Sequence, residues 1–176
     1  MKSLNEYIVE KLKVDKNTKS MPDSVDDLFD MVEEAIKNDG PKCNLNYIDV
    51  SKITDFSRLF ENTEFNGDVS EWDVSSATNM RNMFSHCPFD GDLSKWNVSN
   101  VENMARMFWK SGFTGDKGDI GKWDISKLDN MNHMFEDSQF NGDLSNWNID
   151  HVSKANKYFL NCPAENDYTK TPDVTL

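Results

Sequence analysis

A segment of about 24 residues recurs along this chain, and its spacing constrains the fold more than any other feature of the sequence. A tryptophan marks four of the copies, and a phenylalanine recurs with the same period. The tryptophans are Trp72, Trp96, Trp123 and Trp147, and the phenylalanines are Phe60, Phe84, Phe108, Phe135 and Phe159. A fixed period of this length is typical of stacked repeats, which bury their apolar faces only against one another. We therefore expect the Trp, Met and Phe columns to form the core.

Within each copy the spacing of the apolar residues changes. Trp96 and Val98 are two residues apart, so both side chains would lie on one face of a β-strand. Val101, Met104 and Phe108 follow near the helical period, which predicts a short helix. A glycine follows in most copies, where the chain must make a tight return. Each copy is thus predicted to be a strand, a turn, a short helix and a return.

The copies share the pattern F-N-G-D-[LV]-S-x-W-[DN]-V-S-x-x-x-N-M-x-x-M-F over residues 44–162. This pattern resembles the BspA-like family of leucine-rich repeats, the repeat of roughly 26 residues found in bacterial surface proteins. The resemblance implies an α/β repeat fold, namely a short right-handed leucine-rich-repeat solenoid of parallel strands and short helices. It also implies adhesion or protein binding, and no catalysis.

The pattern divides the chain into four segments. Residues 1–20 are an amphipathic leader or N-terminal helix, and residues 21–43 are a helical cap that shields the first repeat. Residues 44–162 hold about 4.5 repeats, and residues 163–176 are a polar tail. A three-residue insertion near residues 114–119 breaks the register of the repeats.

The helix of the N-terminal cap has clear ends in the sequence. Asp23 or Ser24 would cap its first turn, where acidic residues also favour the helix dipole. The run from Asn38 to Pro41 would stop it. We expect this helix to lie between those two signals.

The charge and the cysteines limit the function classes. The formal net charge is −12, which argues against binding to a nucleic-acid backbone and fits either simple solubility or a basic partner. Cys87 and Cys162 would lie three repeats, or roughly 14 Å, apart, which is too far for a disulfide. A reducing compartment therefore fits better than secretion. We expect a monomer with no bound cofactor.

The first ten residues, MKSLNEYIVE, carry a second resemblance. They are similar to the capsid-targeting leader of internal proteins in T-even-like phages, in which a phage protease cuts after a Glu two residues beyond an Ile or Leu. Ile8 and Glu10 match that processing site, whereas Lys11 departs from the pattern. The resemblance implies a cargo protein inside the virion, and the same residues also fit an ordinary amphipathic helix. No apolar run is long enough for a signal peptide or a membrane span, so we expect the cytoplasm or the virion interior.

The outward side of the predicted strands is the main candidate for a binding surface. The resemblance implies that this concave face contacts a protein partner. Its two columns consist of Tyr47, Glu71, Lys95, Lys122 and Asn146, and of Asp49, Asp73, Asn97, Asp124 and Asn148. The first column varies most and would carry specificity. The Asp and Asn column has an alternative role, which is to hydrogen-bond along the sheet.

Trp109 and the segment 112–121 form a second candidate contact surface. Trp109 is the one tryptophan outside the repeated column, and it directly precedes the insertion. A tryptophan beside a bulged loop is a typical contact hot spot, but it would equally serve to cover the bulge.

A further column places an Asp at each return of the chain. It consists of Asp68, Asp92, Asp119 and Asp143. One carboxylate per repeat supplies too few oxygens for calcium, so we expect these side chains to accept backbone N–H bonds.

No catalytic arrangement is recognisable. The three histidines fall in different columns, and the cysteines lack zinc-site spacing. The sequence therefore predicts a non-enzymatic protein-binding module that uses its concave face or the 112–121 loop. A phage cargo protein cleaved after Glu10 is the alternative, and a surface adhesin ranks third.

Overall fold

The structure is a computed structural model, and it describes residues 20–172. Within that range it contains one α-helix, α1 (Val25–Asp39), and two 3₁₀ helices, Ile120–Lys122 and Pro163–Asn166. It contains no β-strand there, only isolated parallel bridges, five between successive repeats and one between Ser20 and Ile48. The predicted α/β leucine-rich-repeat solenoid of parallel strands and short helices is therefore wrong.

Helix α1 lies where its end signals predict. The Ser24 hydroxyl accepts a hydrogen bond from the Asp27 N–H at 3.1 Å, and Asp26 and Asp27 occupy the first turn. Gly40 ends the helix with a φ of 84°, and its N–H donates to the Ile36 carbonyl. The apolar stripe of the helix, which includes Leu28 and Val32, is buried in the core cluster.

Overlapping turns replace the short helix that was predicted in each repeat. In the third repeat the N–H groups of Met107 and Trp109 donate to carbonyls three residues earlier. Arg106 and Lys110 have φ values of 57° and 53°, in the left-handed region, whereas an α-helix keeps φ near −63°. The spacing of three to four residues fits both a helix and a run of i to i+3 turns, which is why periodicity led to the wrong element.

The other backbone N–H groups of these turns bond to the next repeat. We call the segments 56–62, 80–86, 104–110, 131–137 and 155–161 the ladder segments. In the second of them the donor–acceptor pairs are Met80–Asn103, Asn82–Ala105, Phe84–Met107 and His86–Trp109, at 2.8–3.0 Å. The same four bonds recur at each of the four junctions.

The direction of these bonds explains why no strand forms. In a parallel β-ladder, neighbouring strands exchange both N–H and C=O bonds. Here Asn82 donates its N–H to the next repeat, but its carbonyl accepts from Ser85 within the same turn. Within the ladder segments the bonds between repeats therefore run one way along the stack, whereas just before them residues such as Asn79 and Asn103 donate back to the preceding repeat.

The aromatic columns form the core, as the repeat predicts. Phe84 stacks on Phe60 and Phe108 with ring centroids 5.2 and 5.7 Å apart, and the rings are almost parallel. Trp72 and Trp96 stack at 6.4 Å. Each of the four column tryptophans donates its indole N–H to a carbonyl of the preceding repeat, at 2.9–3.2 Å. The tryptophan rings of this column are therefore buried with their indole N–H groups hydrogen-bonded.

The segment after the last repeat packs onto the stack. Ala164 is fully buried, and its N–H donates to the Phe140 carbonyl. The Leu144 N–H donates to the Lys170 carbonyl at 2.8 Å. These contacts cover the apolar end of the final repeat, as α1 does at the other end.

Candidate functional site

The structure brings most of the predicted concave-face residues to one exposed surface, which we call the polar face. Buried residues such as Trp96 and Val98 alternate with exposed ones, so that the exposed side chains point to a common side. The members of the polar face are Glu71, Asp73, Lys95, Asn97, Lys122, Asp124, Asn146 and Asn148. Tyr47 and Asp49 are half-buried at the start of the stack.

The Asp and Asn column of this surface is fixed by local turns. Asp124 accepts the Ser126 N–H at 3.0 Å, and Asn97 accepts the Ser99 N–H at 3.2 Å. Asp49, Asp73 and Asn148 make the same contact with the N–H two residues later. These are Asx turns within each repeat rather than bonds along a sheet. The hydrogen bonds from Ser126 also lower the pKa of Asp124.

The first column of the polar face carries exposed charges of both signs. Lys95 Nζ lies 2.6 Å from Glu71 Oε1 across one repeat junction, and Lys122 Nζ lies 3.1 Å from Asp119 Oδ2. Asn146 continues the column, and Tyr47 begins it. Burial raises the pKa of the Tyr47 hydroxyl. Exposed ion pairs contribute little to stability, so these side chains remain available to a partner.

The Asp column at the returns acts as predicted. Asp68, Asp92 and Asp143 accept N–H bonds from serines two residues later, and Asp119 accepts that of Gly121, at 2.8–2.9 Å. Within residues 20–172 no group of three His, Cys, Asp or Glu side chains is placed to hold a metal ion.

Trp109 lies on the third ladder segment, half-buried among cations. Its ring is 5.2 Å from the Arg106 guanidinium and 4.9 Å from the Lys110 ammonium. The His86 ring meets it edge-on at 4.7 Å. Its indole nitrogen is buried and has no hydrogen-bond partner. The sequence singled out Trp109 but missed these neighbours, because residue spacing shows neither the left-handed φ of Arg106 and Lys110 nor the contact with His86 of the preceding repeat.

The 112–121 insertion is tied to the preceding repeat. The Thr114 hydroxyl and N–H both donate to Asp90, and Lys117 Nζ lies 3.1 Å from the same carboxylate. Burial of Asp90 opposes its ionisation, but these hydrogen bonds outweigh it and lower its pKa. A shallow cavity of about 310 Å³ lies between the insertion and the return at Gly142 and Asp143.

The three cysteines lie inside the protein. The thiols of Cys43, Cys87 and Cys162 are buried, and none of the three forms a disulfide. Burial raises the pKa of the Cys87 and Cys162 thiols, which keeps them protonated at neutral pH. His133 and His151 are engaged with Glu136 and with the Ile125 carbonyl, respectively.

A family model described as "Mycoplasma protein of unknown function, DUF285" matches residues 23–117 and 111–172. The chain belongs to the DUF285 family. The two matches together span α1, all of the repeats and the segment that follows them in this DUF285 protein. No match was found among the curated proteins or the solved structures.

Two sequence predictions concern the N-terminus and the membrane. The processing site at Ile8 and Glu10 lies outside the described residues. Across residues 20–172, no helix has the length and apolar character needed to cross a bilayer.

Proposed function

We propose that this DUF285 protein is a non-catalytic protein-binding module and that its polar face contacts the partner. The observation that carries the proposal is the regular array of exposed side chains on a firmly packed support. The tryptophans between the two columns are at most 6% exposed, and their indole N–H groups are all bonded. Little ordering entropy would then be lost in the backbone on binding.

The two columns of the polar face have different roles in this proposal. The Asx turns orient Asp73, Asn97 and their equivalents, so this column offers carbonyl and carboxylate oxygens in fixed directions. The first column changes from Glu71 to Lys95, Lys122 and Asn146, which gives the surface a distinct charge sequence. A partner whose charges are complementary to this column would bind, whereas partners that place like charges opposite it would be repelled.

A charge-reversal variant tests the proposal. The double variant Lys95→Glu/Lys122→Glu changes two exposed side chains of the polar face. The matched control Lys42→Glu/Lys52→Glu makes the same change at two exposed lysines outside it. A photo-cross-linking side chain at position 146 would identify the partner in native cells, and titration with the purified partner would give the affinity.

We expect the polar-face variant to bind its partner about tenfold more weakly or worse, because two charges are reversed at close range. The control should bind as the wild type does. Equal binding by both variants would exclude the polar face as the contact surface. The absence of any specific cross-link from position 146 would argue against the proposed function itself.

A further inference from the structure

We infer that a second surface, centred on Trp109, binds an acidic segment of a protein partner; the inference rests on the proposed protein-binding function. We call this surface the Trp109 patch and define it as the ladder segments 80–86 and 104–110. Its exposed or half-buried polar side chains are Arg81, His86, Arg106, Trp109 and Lys110.

The patch is locally basic in a strongly acidic chain. The two segments contain Arg81, Arg106 and Lys110 and no carboxylate, whereas the whole chain has a net charge of −12. Two of the three arginines of the chain lie here. Charges farther away are screened over about 8 Å at physiological ionic strength, so a docking segment would experience mainly the local cations.

The carboxylates on either side of the patch already have partners. Glu61, in the preceding ladder segment, accepts a hydrogen bond from Asn82 Nδ2 at 2.5 Å and lies 3.6 Å from the Arg58 guanidinium. In the following segment, Glu136 contacts His133 Nδ1 at 2.5 Å and Asp137 accepts a hydrogen bond from Asn161 Nδ2 at 2.9 Å. None of these three carboxylates forms an ion pair with Arg106 or Lys110, so the basic character of the patch is retained.

Trp109 provides a flat anchor between the cations. Arg106 and Lys110 approach its ring at 5.2 and 4.9 Å, which orders their charged groups beside one aromatic surface. Tryptophan and arginine are the side chains most enriched in binding hot spots. An acidic segment would pair its carboxylates with the guanidinium and ammonium groups and pack its methylene groups on the indole.

Three unpaired atoms show that this region is not optimised for folding alone. In the described part of the chain, the buried side-chain N and O atoms without a hydrogen-bond partner are Asn82 Oδ1, Ser85 Oγ and Trp109 Nε1. All three belong to the Trp109 patch. The column tryptophans, by contrast, all bond their indole N–H groups. Buried polar atoms that lack hydrogen-bond partners and cluster in one place are typical of functional sites.

Binding of a fluorescein-labelled octaglutamate peptide to the full chain tests this inference. The test variant is Arg106→Glu/Lys110→Glu, and the matched control is Lys42→Glu/Lys52→Glu, at two exposed lysines outside both surfaces. Fluorescence anisotropy at physiological ionic strength gives the affinity, and circular dichroism checks the fold of each variant. The single variant Lys110→Glu, at an exposed side chain, serves if the double variant does not fold.

We expect the Arg106→Glu/Lys110→Glu variant to bind octaglutamate about tenfold more weakly or worse, and the Lys42→Glu/Lys52→Glu control to bind as the wild type does. Failure of the wild type to bind octaglutamate, or equal losses in both variants, would overturn the inference. Tighter binding of a single-stranded oligonucleotide of the same charge would overturn it as well, in favour of phosphate recognition. If the inference failed while cross-linking from position 146 still captured a partner, the proposed function would stand.

Discussion

At the scale of single residues, backbone conformation decides the architecture. In residues 20–172, ten non-glycine residues have left-handed φ values, and they occupy the same two positions of each ladder segment. They are Arg58, Asn62, Asn82, His86, Arg106, Lys110, His133, Asp137, Lys157 and Asn161. This conformation costs roughly 1 kcal/mol for most residues, and the bonds between repeats offset the cost. Because glycine occupies none of these positions, the sequence carries no sign of them.

Glycine at one of these positions should stabilise the protein. Lys157 is exposed with a φ of 53°, so Lys157→Gly removes the strain of a β-carbon there. We expect the free energy of unfolding to rise by about 0.5 kcal/mol, since the greater entropy of unfolded glycine offsets part of the gain. Urea denaturation would measure it. The control Lys52→Gly, at an exposed residue without left-handed φ, should lower the free energy of unfolding.

The two kinds of tryptophan should respond differently to the same substitution. Trp96→Phe removes an indole N–H that donates to the Val69 carbonyl at 3.0 Å, although that carbonyl still accepts the Trp72 N–H at 3.1 Å. We expect a loss of about 0.5–1.5 kcal/mol in the free energy of unfolding, the net worth of one hydrogen bond. Trp109→Phe removes an N–H that has no partner, so its effect should be smaller. Equal losses in urea denaturation would show that ring size, not the hydrogen bond, determines the cost.

At the scale of elements, the Asx turns take the place that strands were expected to fill. Asp143 and its equivalents begin each outward segment by accepting the N–H two residues later, and Asp124 and its equivalents repeat the motif after the tryptophan. The sequence indicated the acceptor role of the Asp at the returns. It gave no basis for choosing between turns and strands beside Trp123, because alternating burial is the same in both.

The turn at Asp143 should make stability depend on pH in the acid range. Hydrogen bonds from the Ser145 N–H and hydroxyl lower the pKa of Asp143 below its ordinary 3.8. The contribution is therefore complete above the unfolded-state pKa and is lost as pH falls through the lower, folded-state value. Asp143→Asn keeps the acceptor but cannot be protonated, so its stability should fall less than that of the wild type between pH 5 and roughly pH 2.

The substitution Asp143→Ala distinguishes the stability contributed by the turn's hydrogen bond from the effect of protonating the carboxyl group. It removes the acceptor for Ser145 at every pH, so we expect it to be less stable than both the wild type and Asp143→Asn at pH 7. Thermal unfolding of the three proteins at a series of pH values would measure both effects. Parallel curves for the wild type and Asp143→Asn would show that this carboxyl is not responsible for acid sensitivity.

At the scale of the whole molecule, side-chain periodicity predicted what is buried but not how the backbone bonds. The Trp, Met and Phe columns, helix α1 and the exposure of Glu71 or Lys95 all follow from spacing. The strands and short helices do not form, because bond direction depends on φ at positions such as Arg58 and Asn62. The Trp109 patch has the same origin, since its cations are assembled by left-handed turns.

The repeat should be removable as a unit. Residues 79 and 103 occupy equivalent positions, with parallel bridges to the repeats on either side. Deletion of residues 79–102 therefore joins Thr78 to Asn103 and preserves every column and both ends of the stack. We expect a cooperatively folded protein whose urea m-value is lower roughly in proportion to the 24 residues removed from 176.

Deletion of residues 79–90 is the informative comparison, because it removes half a period. It would place core positions of one repeat against polar positions of the next, and the bonds between ladder segments would lose their register. We expect this shorter deletion to abolish cooperative unfolding, although it removes fewer residues. If the two deletions lowered stability in proportion to their length alone, the fold would not depend on the 24-residue register, and the polar face and the Trp109 patch would lose their common structural basis.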